Sequence, residues 1–313
     1  MSGTEFERIA RYFVPLAGEA ALGLSDDAAL WIPPHGKTLV LTVDQMVEGV
    51  HFLPDDPPGC VARKLLRRNL SDLAAMGAEP VGYLLTTALR AEMPEAWLAE
   101  FAEGLAWDQK RYGIALFGGD STSTPGPLMA SVTMIGQVAP GEALRRSGAL
   151  VGDAVFVTGA IGDAMLGLEA ARGKIDDFSG YFRERRLLPE PRIGLRLAGL
   201  VHAAVDVSDG LIQDLGHICR NSGVGAAIEA GLVPASDAAR AAGEVWLEAR
   251  LTGGDDYELI LAAPPDAEMA LREACAPVPI TRIGYFSDDS GKVMVRDRDG
   301  QKMNFARTGW RHF

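Results

Sequence analysis

The chain has 313 residues, enough for two domains of ordinary size, and its 48% hydrophobic content supplies ample core material. A net charge of −12 speaks against a nucleic-acid partner, whose phosphates require a basic surface. No apolar run reaches the length of a membrane span without an Asp or Gly interrupting it, so no membrane partner is expected.

Glu5–Tyr12 predicts a short amphipathic helix, with charges where a signal peptide needs an apolar stretch. Thr38–Asp44 is short, apolar and β-branched, and predicts a strand. Gly59–Met76 places Val61, Leu65, Leu66, Leu70, Leu73 and Met76 near the helical period. Pro80–Leu89 predicts a strand, Pro94–Tyr112 a helix, and Ile114–Phe117 and Met129–Val138 two further strands. That βαβαββ order is an α+β pattern. A polar, turn-rich stretch over Pro140–Asp153 predicts a domain boundary, giving domains 1–140 and 141–313. Beyond it come a strand at Ala154–Thr158 and a helix at Gly162–Arg172. The strand Ala203–Asp206 feeds a helix at Gly210–Asn221. Strand signals follow at Gly225–Ile228, Tyr257–Ala262, Ile280–Tyr285 and Lys292–Arg296, with helices over Ser236–Ala242 and Asp266–Ala274. Cys60, Cys219 and Cys275 are far apart, odd in number and without a CxxC or zinc spacing. A reduced compartment follows most simply, and a cytoplasmic enzyme is expected.

Acidic residues recur where apolar strands should end: Asp44 in LTVD, Asp120 in LFGGD, Asp206 and Asp209 in AAVDVSD, Asp255 and Asp256 in LTGGDD. Asp26, Asp27 and Asp72 join them. Gathering so many carboxylates in one cleft is unfavourable, because like charges in a low-dielectric site repel. Hard divalent cations remove that penalty, and Mg²⁺ prefers oxygen ligands. The pattern suggests a site for Mg²⁺ and a polyphosphate.

Each motif alone has a plainer reading. Asp26 and Asp27 serve equally as turn formers or caps. Asp72 shares a helix face with Asn69 and reads otherwise as a solvated surface residue. Gly118 and Gly119 admit a phosphate beside Asp120, or make an ordinary turn. Asp44 is followed by Glu48, Gly49 and His51, a loop suited to a ligand, although a lone His is more often structural. Asp209 fits an N-cap, while Ser208 can turn its hydroxyl and N–H toward an anion at the helix N-terminus. No GxxxxGK[ST] and no GxGxxG occurs, so a nucleotide must be held by metals, turns and basic groups such as Arg145 and Arg146.

Taken in order, LSDDAAL, LTVDQMVEGVHF, NLSDLAAMGAEP, FGGDST, RRSGALVGD, VTGAIGDAMLGL, AVDVSDGLIQDLGHI and LTGGDDYEL resemble the thiamine-monophosphate kinases. The resemblance covers most of the chain. It implies the two-domain α+β fold shared with aminoimidazole ribonucleotide synthetase, with an N-terminal domain for ATP, Mg²⁺ and homodimerisation and a site between domains. It implies transfer of the ATP γ-phosphoryl group to thiamine monophosphate. By position, Asp27, Thr42, Asp44, Asp72, Asp120, Asp206 and Asp209 resemble the Mg²⁺ set. Gly119, Asp120, Arg146 and Ser208 resemble nucleotide contacts, and His51, Asp255 and Trp310 the thiamine-phosphate side. The chain departs from the family in three places. Val43 stands where a hydroxyl residue is usual, so a ligand there must be its carbonyl. Asp255 replaces a Glu, and Ser25 a Gly.

The expected mechanism is metal-assisted in-line phosphoryl transfer, in which positioning and charge neutralisation dominate. The rivals are an ATP-dependent synthetase of the same fold, a non-catalytic Mg-nucleotide sensor, and a metal-dependent phosphohydrolase.

Overall fold

A computed structural model describes residues 4–312. The chain forms two compact units, one of residues up to Leu73 with Ala78–Pro140, the other of Ala74–Gly77 with the residues from Gly141 onward.

The first unit contains α1 (Glu5–Arg8, continuing as a looser turn over Ile9–Phe13), β1 (Thr38–Val47), α2 (Pro58–Ala75), β2 (Glu79–Leu89), α3 (Glu95–Tyr112), β3 (Ala115–Ser123) and β4 (Met129–Val138). The strands form one sheet in the order β1-β4-β2-β3, with β2 and β3 parallel. Alternation gives the sheet two unlike faces. On one, Met46, Val132, Met134 and Tyr83 are fully buried. Helix α2 runs along this face, with Leu73 against Gly136 and Asp72 bonded to Thr42. Arg67 of α2 grips the buried Asp108 of α3 through Nε–Oδ2 at 2.7 Å, a forked pair that ties the two helices. On the other face Leu41 and Val43 are 65% and 63% exposed, and Leu39 and Leu84 join them.

Two expected strand ends fail here, the first at Asp44, which lies inside β1 because that strand runs on to Val47. The strand expected to stop at Phe117 runs on through Gly118, Gly119 and Asp120 to Ser123, so the GGD segment is not a loop. Gly119 is small for a packing reason: a Cβ there would fall 1.8 Å from the Leu85 carbonyl oxygen of the neighbouring strand.

The second unit contains β5 (Ala154–Thr158), α4 (Asp163–Ala171), α5 (Tyr181–Leu187), β6 (Ala203–Asp206), α6 (Leu211–Ser222), β7 (Gly225–Glu229), α7 (Asp237–Ala242), α8 (Leu247–Thr252), β8 (Leu259–Ala263), α9 (Glu268–Cys275), β9 (Ile280–Ser287) and β10 (Val293–Arg296). Its six strands take the order β10-β7-β9-β5-β8-β6. Strands β5 and β8 are buried on both faces, which is why they read as unbroken apolar runs. Val155, Val205, Ile260 and Leu215 meet in one core, and Phe156, Leu259, Leu261 and Leu271 in another. Helices α5 and α8 have no counterpart among the sequence expectations. The former, YFRERRL, lacks apolar periodicity because Arg186 is turned inward and buried. Among the described residues no helix is long and apolar enough to cross a membrane.

Candidate active site

The first unit assembles a polar ledge on the edge strand β1. Period-two alternation places Thr42 and Asp44 on the face that α2 covers. Residues Arg68, Asn69 and Asp72 come from α2. The Thr42 hydroxyl donates to Asp72 Oδ2 at 2.5 Å. Asn69 Oδ1 accepts the Asp44 backbone N–H at 3.0 Å, and its amide donates to the Leu65 carbonyl. Arg68 Nε approaches Asp44 Oδ2 at 3.3 Å. These bonds hold hard oxygen donors at a partly open edge. Val43 points the other way, onto the free apolar face.

His51 follows in a tight loop after β1. The Val47 N–H donates to His51 Nδ1 at 3.0 Å, so the ring proton sits on Nε2. The loop is clamped by Glu48, which binds Arg90 and accepts the Leu128 N–H. That contact with Arg90 and burial act oppositely on the Glu48 carboxyl, and the net effect lowers its pKa.

One expected member does not join this ledge, and another, Asp27, lies in an exposed bend. Asp120 pairs in register with Thr86, which pairs with Ser131, which pairs with Gln45. It therefore lies on the face opposite Asp44, at the far edge of the sheet. The separation is three strand spacings, about 14 Å. Within one chain the strand order therefore sets Asp44 and Asp120 apart.

In the second unit, β6 delivers Asp206, almost fully buried, to the strand end, and the chain turns through Ser208 and Asp209 into α6. Gly210 opens that helix at φ +131, where a Cβ would strike the Thr252 carbonyl oxygen at 2.7 Å. The plainer reading of Asp209 as an N-cap does not hold, because no side chain caps α6 at that position. Asp214, one turn into α6, accepts the N–H groups of Ser208, Asp209 and Gly210 at 3.1, 3.0 and 3.0 Å. The anion position at this helix N-terminus is thus filled by the protein's own carboxylate. Only the Ser208 hydroxyl, not its N–H, is left for a phosphate. Burial and the charge of Asp209 push the Asp214 carboxyl up to about 7, against the pull of those N–H groups. Asp209, Asp214 and His217 bring ligand atoms within 4.8 Å of one another. Arg146 stands close enough to lower the pKa values of both Asp214 and His217, and for His217 burial acts first.

A second acidic loop is laced to the first. The Asp255 N–H donates to the Ser208 carbonyl, Tyr257 N–H to Val207, and Val207 N–H to Glu258, all at 2.8–2.9 Å. Trp310 arrives from the C-terminal segment: its N–H donates to the Asp209 carbonyl, and its own carbonyl accepts from Gln213 Nε2. Ser208, Asp209, Asp255 and Trp310, far apart in sequence, are neighbours in this unit. Asp256 and Glu258 serve the scaffold. Asp256 is buried and accepts the Gly162 and Ala164 N–H groups at the start of α4. Glu258 is buried between Thr158, Arg185 and Arg192. The residue most clearly missed from sequence is Asp214. Its signal was there: a carboxylate on the same stripe as Leu211, Leu215 and Ile218, where only a satisfied one is tolerated.

Family models describe both units. One for the AIR synthase related protein, N-terminal domain, matches residues 25–138, and one for the C-terminal domain matches residues 151–296. The fold and the paired acidic loops define a two-domain protein of the AIR-synthase-related class. A thiamine-monophosphate kinase of Caulobacter vibrioides is 43% identical, over 99% of this chain and 91% of that protein. A crystal structure of thiamine-monophosphate kinase from Stenotrophomonas maltophilia superposes with a TM-score of 0.84 at 42% identity, covering 97% of this chain and 99% of that one. A structure described as AaThiL complexed with AMPPCP and TMP gives a TM-score of 0.79 at 30% identity, over 92% of this chain and 91% of that one. Within the AIR-synthase-related class, this chain belongs to the thiamine-monophosphate kinase family.

Proposed function

We propose that this protein transfers the γ-phosphoryl group of ATP to the phosphate of thiamine monophosphate, giving thiamine diphosphate and ADP. The observation that carries the reading is the likeness, across nearly the whole chain, to the AaThiL structure with an ATP analogue and TMP. The chain's own residues suit the chemistry. The acceptor is a phosphate oxygen already ionised at neutral pH, so no strong general base is needed. His51 Nε2–H, the Arg146 guanidinium and the Ser208 hydroxyl are donors available in kind to anionic oxygens. The Trp310 ring, half exposed, offers a face for a cationic heteroaromatic ring. Asp255 supplies a counter-charge to that ring.

The residues present fit Mg²⁺. Thr42, Asp44 and Asp72 offer hard oxygens at an accessible edge, without a thiolate, with Thr42 and Asp72 hydrogen-bonded to each other, and Asp209 offers a carboxylate oxygen beside Asp214 and His217. Bound there, the ion supplies neutralisation of the charge that keeps two phosphate groups apart.

The same reading makes the protein a homodimer built on the N-terminal unit. The free face of the first sheet carries exposed Leu39, Leu41, Val43 and Leu84, an apolar surface that calls for a partner. Asp120 and Gly119 belong to the strand at the opposite edge from Asp44. An ion or nucleotide shared by Asp44 and Asp120 therefore requires a second subunit. The three free cysteines suit a reducing, cytoplasmic setting.

The test is incubation of the purified protein with Mg²⁺, ATP and thiamine monophosphate, with products identified by mass. Thiamine diphosphate and ADP in equal amounts are expected. Phosphate release without thiamine diphosphate would mark a hydrolase, and ATP binding without turnover a sensor.

A further inference from the structure

The loop from Gly253 to Glu258 holds two non-glycine residues in left-handed backbone conformation within three positions. Asp255 has φ +69 and Tyr257 φ +52. Such conformations are unfavourable for any residue with a Cβ, and more so for a bulky aromatic one. They persist where the surroundings over-determine them, and they collect at ligand sites. Here the surroundings are explicit. Asp255 and Tyr257 donate their N–H groups to the Ser208 and Val207 carbonyls. Asp256, between them, is locked onto the N–H groups of Gly162 and Ala164. At Gly254 a Cβ would fall 2.1 Å from the Ser208 carbonyl oxygen, so the two acidic loops are in backbone contact.

The strained turn has one clear product. Tyr257, a strand-like residue by composition, is turned inward until its ring is 1% exposed, and its hydroxyl donates to Asp255 Oδ1 at 2.9 Å. A tyrosine two residues along the chain thus braces the side chain that borders Ser208. We propose that Tyr257 is a positioning residue for substrate recognition: its buried hydroxyl fixes the Asp255 carboxylate in the orientation that receives the thiamine-phosphate substrate. The proposal rests on the reading of Asp255 as a substrate contact. Tyr257 has no access to the reacting phosphates in this role. It acts through Asp255, so its effect falls on substrate affinity and not on turnover.

The experiment compares Tyr257→Phe, Asp255→Ala and the double variant in the full chain, measuring kcat and the KM values for ATP and thiamine monophosphate. Tyr257→Phe keeps the buried ring and removes only the brace. It should raise the KM for thiamine monophosphate about tenfold, the worth of one hydrogen bond to a charged group. The kcat and the KM for ATP should stay within about twofold of the parent. In the double variant the phenylalanine should add nothing to Asp255→Ala, because the two residues act as one unit. An unchanged KM in Tyr257→Phe, beside a raised KM in Asp255→Ala, would overturn the brace while leaving the substrate reading standing. An unchanged KM in Asp255→Ala would remove the substrate reading itself, and the brace with it. Parallel weakening of both substrates, or full additivity in the double variant, would show a general structural role and equally overturn the proposal.

Discussion

The two acidic regions solve the same electrostatic problem differently. On the β1 edge of the first unit, Asp44 and Asp72 are partly open, Asp72 accepting from the Thr42 hydroxyl and Asp44 Oδ2 lying 3.3 Å from Arg68 Nε. In the second unit most of the carboxylates are spent inside the protein: Asp214 on three N–H groups, Asp256 on two, Glu258 between two arginines. Asp209 and Asp255 are then held at the surface by loops those buried groups fasten. An aspartate-rich sequence therefore contains two populations, open carboxylates proposed as ligands and buried ones that act as fasteners with counted hydrogen bonds.

The largest effects should come from the ligand population. Asp44→Ala and Asp120→Ala are each expected to lower kcat by about 10²-fold or more, with circular dichroism unchanged. The pair also tests whether the site spans two subunits. If Asp44 and Asp120 of one chain served one site, mixing the inactive variants would give no activity. If the site draws one carboxylate from each subunit, mixed dimers regain one intact site. A refolded equal mixture should then recover about a quarter of the parent activity. No recovery after demonstrated subunit exchange would sink the shared-site reading.

Among the fasteners, Glu258 should be the costliest to neutralise. Its side chain is fully buried, accepts from Thr158 Oγ1 at 2.7 Å and Arg192 Nε at 2.6 Å, and lies 3.4 Å from Arg185. Glu258→Gln keeps the shape but leaves guanidinium groups facing a neutral amide. A loss of about 3–5 kcal/mol is expected, read as a fall in unfolding midpoint. A variant as stable as the parent would place Glu258 among the dispensable charges.

Much of this contrast was legible beforehand, and the gaps have physical causes. Strands β4, β5 and β6 were placed to the residue because apolar and β-branched runs end there in clear turn residues. The β3 extension was missed because glycines usually break strands, whereas Gly119 is demanded by the Leu85 backbone beside it. Helix α5 was missed because Arg185 reaches the buried Asp163 and Arg186 is itself buried, which periodicity cannot register. For the site, the ordered motifs pointed to Thr42, Asp44 and Asp72, and the structure brings those three together. The distance between Asp44 and Asp120 was invisible because strand order is not written in local sequence. Asp214 looked like one more polar helix position, since its three partners lie in the preceding turn.

The last effect expected is one of pH, and it follows from Asp256. Burial pushes its carboxyl up to about 8, from an ordinary value of 3.8, although the N–H groups of Gly162 and Ala164 pull it down. The folded protein therefore keeps this proton across a window in which the unfolded chain has already released it. Stability attached to this group is greatest below about pH 4 and is lost as pH rises toward 8. The slope is at most about 1.4 kcal/mol per pH unit. Asp256→Asn cannot titrate and should flatten that slope. The check is a series of urea unfolding curves between pH 5 and pH 8 for both proteins. The parent should lose stability relative to the variant as pH rises, because only the parent must give up a buried proton or carry a buried charge. A difference that stays constant with pH, or grows in the parent's favour, would mean that the two N–H donors outweigh burial and that Asp256 is a charged cap on α4.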